Sequence, residues 1–186
     1  MGKVVHLLSG GLDSTVLLYD LLWNGYDVLE CLFVDYGQAQ IQEQEWAEYH
    51  AKWHGVPFRK LVLPELSDGL VVVPMRNAIF LGCAVNRAVA LGADWVTFGA
   101  NEDDAVTFPD CRKEFVGTFN RLIEASGYRV RVLPPFMMMS KKQVVELGKE
   151  LGVEMGRTWT CYAGGASPCG ECLACKTRTE AEQCSI

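Results

Sequence analysis

The sequence predicts an α/β fold, a doubly wound and mostly parallel five-stranded sheet followed by a small C-terminal lobe. Short apolar runs alternate with helical patterns along residues 3–151, as is typical of a parallel sheet with helices on both faces. A glycine follows each helical pattern, where a helix cap favours positive φ. Near residue 157 the periodicity gives way to Cys, Gly and Thr. We therefore divide the chain into residues 1–157 and a lobe of residues 158–186.

The predicted elements follow one another as strand and helix. The strands are the apolar runs KVVHLL (3–8), VLECLFV (28–34), FRKLVL (58–63), DWVTFG (94–99) and YRVRVL (128–133). The helices cover residues 12–24, 39–55, 76–91, 112–126 and 140–151, where apolar residues recur at helical spacing. They end at Gly25, Gly55, Gly92, Gly127 and Gly152. The stretch between the DWVTFG strand and the helix that begins near residue 112 is predicted to be a loop.

Composition narrows the classes of function. The formal net charge of the 186 residues is −6, which argues against a protein that clamps a nucleic-acid backbone, because phosphate contacts need a surplus of Lys and Arg. The apolar runs are too short for a membrane span. No small-residue cleavage site follows the N-terminal apolar stretch MGKVVHLLSGG, so we expect a cytoplasmic protein.

The segment SGGLDST, residues 9–15, lies where the first strand passes into the first helix. Backbone N–H groups at a helix N-terminus favour an anion, and glycines let it come close. No Lys follows the glycines, so this is not a Walker loop. Asp13 among phosphate ligands indicates help in placing Mg²⁺. A Gly-rich turn capped by Ser or Asp is the structural alternative. The full string resembles the SGGxDS loop of the N-type ATP pyrophosphatases, which implies ATP as substrate.

Half of the eight cysteines fall in TCYAGGASPCGECLAC, with the spacing C-x7-C-x2-C-x2-C. Two C-x2-C units and a fourth thiolate from a preceding loop suit a closed tetrahedral Zn²⁺ site. An iron–sulfur cluster is the main competitor, although ferredoxins place their next cysteine three residues on and before proline. Disulfides or redox thiols are a further alternative. The predicted ligands are Cys161, Cys169, Cys172 and Cys175.

Three more polar stretches follow predicted strands or open a helix: VDYGQ (34–38), PMRN (74–77) and GANEDDAVTFPDCR (99–112). With the opening loop and the cysteine tail, they resemble the 7-cyano-7-deazaguanine synthase family over essentially the whole chain. The resemblance implies an enzyme that adenylates 7-carboxy-7-deazaguanine with ATP and adds ammonia to give the amide. A second ATP then converts the amide to the nitrile. It also implies a homodimer.

The resemblance assigns residues to this chemistry. The nucleotide, its pyrophosphate and its metal are expected to contact Leu8, Ser9, Gly10, Gly11, Leu12, Asp13, Ser14, Thr15, Asp35, Arg76, Asn77, Gly99 and Asn101. The predicted catalytic residues are Asp13, Asp104, Asp110, Arg112 and Lys141. Each has a structural alternative: Asp110 could cap its helix, and Arg76 could form a surface ion pair.

The chain departs from the family pattern at three places. Met75 replaces the glycine of PGRN, Phe108 replaces the tyrosine of YPDCR, and the segment between VLPELSDGL and VVVPMRN is short. A shorter loop would leave the site more open, so a larger nucleophile or a protein partner is conceivable. This motivates a second hypothesis, a relative that joins the adenylated acid through an amide to a protein or peptide amine.

Two other classes of function share part of these features. A tRNA-modifying enzyme would have the same SGGLDS loop, although the acidic charge argues against it. A non-catalytic zinc or nucleotide-binding module would keep the cysteines. His50 and His54 share a helix face at i, i+4 spacing, and we expect them to face solvent or a partner.

Overall fold

The computed structural model describes residues 2–64, 66 and 73–183. Five strands form one sheet: β1 (Lys3–Leu7), β2 (Asp27–Asp35), β3 (Phe58–Val62), β4 (Trp95–Thr97) and β5 (Arg131–Leu133). Their order is β3-β2-β1-β4-β5, and all four neighbouring pairs are parallel. The predicted α/β class and the five strands are confirmed.

Seven α-helices accompany the sheet in the part of the chain that the structure describes. They are α1 (Leu12–Trp23), α2 (Glu43–Trp53), α3 (Arg76–Leu91), α4 (Glu102–Thr107), α5 (Lys113–Ala125), α6 (Lys141–Glu150) and α7 (Leu173–Gln183). Single 3₁₀ turns lie at Pro109–Cys111 and Met155–Arg157. The five glycines predicted to end helices have φ between +67° and +82°, so these helix ends were predictable from the sequence.

The core lies on both faces of the sheet because successive side chains of a strand point to opposite sides. Val4 of β1 packs with α1, α2 and α6 in one apolar cluster. Its neighbour Val5 packs with α3, α5 and β4 in the other. Both valines are fully buried. The sheet is therefore doubly wound, as predicted.

The prediction placed the start of one helix wrongly and missed two other helices. The second helix begins at Glu43, because residues 37–42 turn beneath the C-terminal lobe, where Gln42 Nε2 donates to the Gly164 carbonyl over 2.7 Å. The loop predicted after β4 contains α4, which a capping box between Asn101 and Asp104 initiates. Helix α7 was not predicted. The short segment before Pro74 falls largely on residues 65 and 67–72, outside the described residues.

The strand order reverses between β1 and β4, so the loop after β1 lies at the switch point of the sheet, where open α/β sheets bind ligands. The C-terminal lobe joins this point directly, because the Trp159 N–H donates to the Gly10 carbonyl over 2.9 Å. Ala181 of α7 belongs to the same apolar cluster as α1 and α6. The lobe thus packs on the sheet domain. Among the helices of the described residues, none has the length and apolar character to cross a membrane.

We predict that Met75→Gly stabilises the protein. Met75 is the one non-glycine residue with positive φ among the described residues, at +58°, and its side chain is 64% exposed. An L-residue in this region costs about 1–2 kcal/mol, of which the larger chain entropy of glycine offsets roughly 0.5–1. Urea unfolding should show a net gain of about 0.5–1 kcal/mol. Met75→Ala keeps the strain and is the control, with no gain expected. Equal stabilities of the two variants would contradict the prediction.

Candidate active site

The loop from Leu8 to Gly11 closes on itself through serine hydroxyls. Ser9 Oγ lies 2.9 Å from Ser14 Oγ and accepts from the Gly11 N–H over 3.1 Å. Gly11 precedes α1 and makes no side-chain capping bond. The first turn of α1 therefore points its N–H groups out of a preformed loop, the arrangement that binds anions at helix N-termini.

Two glycines let neighbouring backbones approach this loop. Gly10 has a φ of +82°, and a Cβ there would lie 2.0 Å from the Glu43 carbonyl oxygen. A Cβ at Gly99, just after β4, would lie 2.7 Å from the Ser14 nitrogen. Gly10 therefore lets α2 pack against the loop, and Gly99 lets the segment after β4 pack against the start of α1. A larger residue at either position would prevent this contact.

Three predicted residues from distant parts of the chain meet at the start of α1. Lys141 Nζ lies 2.5 Å from Asp13 Oδ2. Asn101 Nδ2 donates to Asp13 Oδ1 over 3.2 Å. Lys141 and Asn101 are 8% and 1% exposed, so one carboxylate receives a buried ammonium and a buried amide beside the loop. The Asp13 carboxylate thus holds the ammonium of Lys141, a group that can bind phosphate, beside the loop.

Asp104 is a second acid beside Asp13. Its Oδ2 accepts from the Asn101 N–H, and its own N–H donates to Asn101 Oδ1 over 3.0 Å. Burial, reinforced by the charge of Asp13, raises the pKa of Asp104 to about 6. Two carboxylates that repel each other next to an anion loop form a donor set suited to Mg²⁺. The chemistry of Asp13 and Asp104 thus fits the predicted magnesium site.

The other side of the cleft is formed where α3 begins. Asp110 Oδ2 accepts from the Asn77 N–H over 3.2 Å, so Asp110 caps α3 rather than the helix that follows it. Arg76 Nη1 donates to Tyr36 Oη over 3.4 Å. The structure thus brings Arg76, Asn77 and Asp110 together around the carboxyl end of β2.

Several predicted site residues are engaged in structural contacts. Asp35 pairs with Lys60 Nζ over 2.7 Å, and this bond holds the pKa of Asp35 below its usual value. Arg112 is exposed and its Nε donates to the Ala105 carbonyl over 2.9 Å. The side chains of Leu8 and Leu12 are buried in the core, which leaves only their backbone for a ligand.

Thr15 is the one predicted loop residue with an unmatched polar atom. It is fully buried, and its Oγ1 has no hydrogen-bond partner among the described residues. Its backbone N–H donates to the Gly11 carbonyl, the first bond of α1. Within the described ranges the Thr15 hydroxyl is thus buried without a partner, whereas those of Ser9 and Ser14 lie 2.9 Å apart in the loop.

The four predicted cysteine ligands come together at the C-terminal lobe. All four Sγ atoms lie within 4.8 Å of one another, whereas the sulfurs of a tetrahedral zinc site with ~2.3 Å bonds lie about 3.8 Å apart. The N–H groups of Ala163 and Cys169 donate to Cys161 Sγ over 3.3 Å. N–H donors, chiefly that of Cys172, lower the pKa of Cys169 to about 6. Four cysteine sulfurs this close together can hold a metal ion.

His6 is a site residue that sequence reasoning missed. It is buried in the middle of β1, with Nε2 2.9 Å from the Ser14 carbonyl and Nδ1 2.9 Å from Thr97 Oγ1. The carbonyl can only accept, so Nε2 carries the proton, and Nδ1 accepts from the Thr97 hydroxyl. His6 therefore positions the first turn of α1 from below. No motif marks this residue, because a histidine in a strand is usually a core residue.

The prediction for His50 was wrong. His50 is fully buried, with Nδ1 3.0 Å from Tyr19 Oη and Nε2 2.9 Å from the Arg157 carbonyl. His54 is half-buried and packs edge-on against the Tyr19 ring, 4.2 Å between centroids. Both imidazoles pack against α1 because α2 turns this face toward Tyr19. Both histidines connect α2 with α1, and His50 also connects α2 with the 3₁₀ turn at Met155–Arg157.

The parallel sheet with the SGGLDS loop at its switch point defines the PP-loop fold, which is that of the N-type ATP pyrophosphatases. The solved U34-tRNA thiolase NcsA from Methanococcus maripaludis, described with its [4Fe-4S] cluster, has the same fold at a TM-score of 0.58 and 20% identity. The similarity covers 98% of this chain and 65% of that one.

Sequence comparison defines the family. The profile of the family described as "Queuosine biosynthesis protein QueC" matches residues 3–69 and 67–184. The chain is 38% identical to the 7-cyano-7-deazaguanine synthase of Archaeoglobus fulgidus, over 96% of this chain and 85% of that one. It is 34% identical to the enzyme of the same name from Caldicellulosiruptor saccharolyticus, over 96% and 90%. The chain belongs to the QueC family.

We predict that His6 makes the protein sensitive to acid. Burial lowers the pKa of His6 from 6.5 to about 4, so between these values the unfolded chain binds a proton that the folded protein excludes. The contribution is complete above about pH 6.5 and is lost as the pH falls toward 4, by about 3 kcal/mol.

The measurement is urea unfolding of the wild type and of His6→Gln across this pH range. Glutamine keeps a donor for the Ser14 carbonyl but has no group to titrate. The free energy of unfolding of His6→Gln should therefore fall less steeply with acid than that of the wild type. Parallel curves for the two proteins would show that His6 does not carry the effect.

Proposed function

We propose that this protein converts 7-carboxy-7-deazaguanine to 7-cyano-7-deazaguanine with ATP, by way of an acyl adenylate and an amide, with ammonia as the nitrogen source. The observation that supports this most directly is the meeting of Asp13, Asn101 and Lys141 beside the open N-terminus of α1. The curated relatives that bear the synthase name match 96% of this chain, which in turn covers 85–90% of their length.

The proposed first step joins the substrate carboxylate to the α-phosphate of ATP and releases pyrophosphate. A carboxylate is a poor electrophile, and AMP makes its oxygen a good leaving group. The glycines and N–H groups of residues 9–14 would hold the pyrophosphate, and Lys141 would stabilise the charge that develops on it. No covalent bond to the protein is required, so binding in the reactive orientation and charge stabilisation provide the catalysis.

The proposed substrate pocket lies between α3 and α4. Asp104 and Asp110 would accept hydrogen bonds from the guanine-type N–H edge of the ring, and Arg76 would pair with an anionic group of the substrate or nucleotide. Asp110 already accepts one N–H from Asn77, which fixes the direction of its carboxylate. In this role Asp110 is both a cap of α3 and a contact of the ring. Arg112 would need to leave the Ala105 carbonyl to reach a ligand.

Two metal ions belong to the proposal. Mg²⁺, held near Asp13 and Asp104, would neutralise phosphate charge when ATP is bound. Zn²⁺ is the proposed occupant of the four cysteines, because four closed thiolates suit a structural zinc site. The [4Fe-4S] cluster named for the thiolase of similar fold keeps iron as the competing occupant.

The wider setting is proposed on the same basis. A homodimer and a cytoplasmic location are the expectations that accompany family membership. Ligation of the activated acid to a protein or peptide amine is the second candidate reaction, and tRNA modification is a more distant one. Met75 keeps the backbone conformation that a glycine would adopt at this position, with a φ of +58°. The replacement of the family's glycine by Met75 therefore favours neither of these two alternative reactions.

The proposed reaction predicts three products from one incubation. Purified protein with ATP, Mg²⁺, 7-carboxy-7-deazaguanine and ammonium should yield the nitrile, AMP and pyrophosphate, measured by mass spectrometry. Asp13→Asn should lower turnover by at least ~100-fold, because it removes the carboxylate that holds Lys141 and Asn101 beside the loop. Asp27→Asn, at the exposed start of β2, is the matched control and should keep full activity.

Other products would redirect the assignment. Adenylate without amide, together with a mass increase on a protein, would support ligation to a protein amine. Tight, salt-dependent tRNA binding with no conversion of the acid would support tRNA modification. Absence of pyrophosphate release with every acid substrate would contradict a catalytic role.

The proposed zinc site predicts one zinc ion per chain by elemental analysis. Cys169→Ser should lose the metal and lower the free energy of unfolding by about 3 kcal/mol, since metal binding is linked to folding. Cys83→Ser on α3, far along the chain from the four ligands, is the control and should retain zinc. Iron and sulfide in the purified protein, with visible absorbance, would contradict the zinc assignment.

A further inference from the structure

Glu43 is an acid in the wall of the candidate site to which no role has been assigned. It is the first residue of α2, and its main-chain carbonyl oxygen is the atom that a Cβ at Gly10 would strike at 2.0 Å. The helix that carries the carboxyl therefore rests directly on the anion loop. The first residue of α2 therefore lies next to the loop that is proposed to bind the nucleotide.

The Glu43 side chain is partly buried, and its carboxyl is weakly hydrogen-bonded. Among the described residues its hydrogen-bond partner is Gln38, whose Nε2 donates to Oε1 over 3.4 Å. Gln38 is itself fixed, because its Oε1 accepts from the Tyr36 N–H over 2.8 Å and its Nε2 also donates to the Val34 carbonyl. Gln38 therefore orients one carboxyl oxygen and leaves bonding capacity on the other.

The electrostatic surroundings favour exchange of a proton at Glu43. Burial raises the pKa of Glu43 to about 8, while Gln38 and the Arg76 guanidinium at the start of α3 oppose the rise. The positive charge of Arg76 thus acts on Glu43, and Arg76 Nη1 donates to Tyr36 Oη. An acid balanced in this way can accept and release a proton near neutral pH.

The proposed reaction needs such a group, and this inference rests on that proposed function. Ammonia is mostly ammonium near neutral pH, and nitrogen must lose protons to become an amide. Asp13 already pairs with Lys141, and Asp104 and Asp110 are the proposed contacts of the ring, so Glu43 is the acid of the site that has no other role. We propose that Glu43 is the proton acceptor for the attacking nitrogen.

The step balances in atoms and charge. The lone pair of NH₃ forms a bond to the carbonyl carbon of the acyl adenylate, and the C–O bond to AMP breaks with its electron pair leaving on AMP. Glu43 first takes a proton from ammonium, which frees this lone pair, and the further proton that nitrogen loses on forming the amide passes to water. The products are the primary amide, AMP and protonated Glu43, which returns its proton to water before the next turnover.

The test separates adenylation from attack by nitrogen. Exchange of labelled pyrophosphate into ATP, with 7-carboxy-7-deazaguanine and no ammonium, reports adenylation alone. Glu43→Gln should keep this exchange within about threefold and lower kcat/KM for ammonium by about 100-fold. Hydroxylamine, a nucleophile that is largely unprotonated at neutral pH, should show a much smaller deficit in the same variant.

Two variants complete the experiment. Glu45→Gln changes an exposed acid of the same helical turn and should behave as the wild type in every assay. Thermal unfolding checks that Glu43→Gln is folded. If it is not, Glu43→Asp, which keeps the acid at a shorter reach, should retain exchange and lose part of the rate with ammonium.

The outcomes distinguish this inference from the function on which it rests. Equal loss of exchange and of the ammonium reaction in Glu43→Gln, or in Glu43→Asp where that variant carries the test, would overturn the role of Glu43 alone. An equal deficit with hydroxylamine and ammonium would also overturn it. A wild-type protein that makes no adenylate from this acid would overturn the proposed function, and the Glu43 step with it.

Discussion

The bonds to the Asp13 carboxylate hold the candidate site together. One oxygen accepts from Asn101, the N-cap of α4 that follows β4, and the other pairs with Lys141, at the start of α6. Asp13 itself begins α1 after β1, so a single side chain joins the loops that leave three parts of the sheet. Because all these strands are parallel, their carboxyl ends meet at one edge of the sheet. The strand order alone therefore brings together the polar residues that follow the strands.

This common edge explains what the sequence could predict. Strand and helix periodicity give the layers, and each glycine after a helical pattern marks an end through its positive φ. The SGGLDST string predicts the loop because its glycines, hydroxyls and helix start act locally. Four cysteines at C-x7-C-x2-C-x2-C spacing predict their own proximity for the same reason, since the ligands lie on a short and continuous stretch of chain.

Other features depend on tertiary contacts and left no local pattern. His50 reads as a polar residue of an amphipathic helix, but its surroundings are set by Tyr19 and the Arg157 carbonyl, which are distant along the chain. Arg112 matches a family motif, yet its guanidinium donates to a carbonyl of α4, an element that was itself predicted as loop. In that case the Asn101 and Asp104 capping box was visible in the sequence as N-x-x-D, and would have placed the helix.

The lobe and the loop form one unit through the hydrogen bond from Trp159 to Gly10, residues separated by most of the chain. Trp159 also donates its indole N–H to the Cys161 carbonyl over 2.8 Å. Trp159 therefore connects the first cysteine to Gly10 of the anion loop. A metal held by the four thiolates would stiffen the segment that presses on Gly10. The cysteines therefore have a structural reason to lie beside the site without contacting a reacting atom.

The acids around the loop differ in a way that separates their roles. Asp13 is balanced by a buried lysine, Asp104 is raised to a pKa of about 6 by burial and by the charge of Asp13, and Glu43 is raised to about 8 chiefly by burial. Environments that spread the ionisation of neighbouring carboxyls allow one acid to serve as a fixed charge and another to exchange protons. The residues meet at the same edge of the sheet but lose contact with water to different degrees. The fold that positions Asp104 and Glu43 therefore also raises their pKa values.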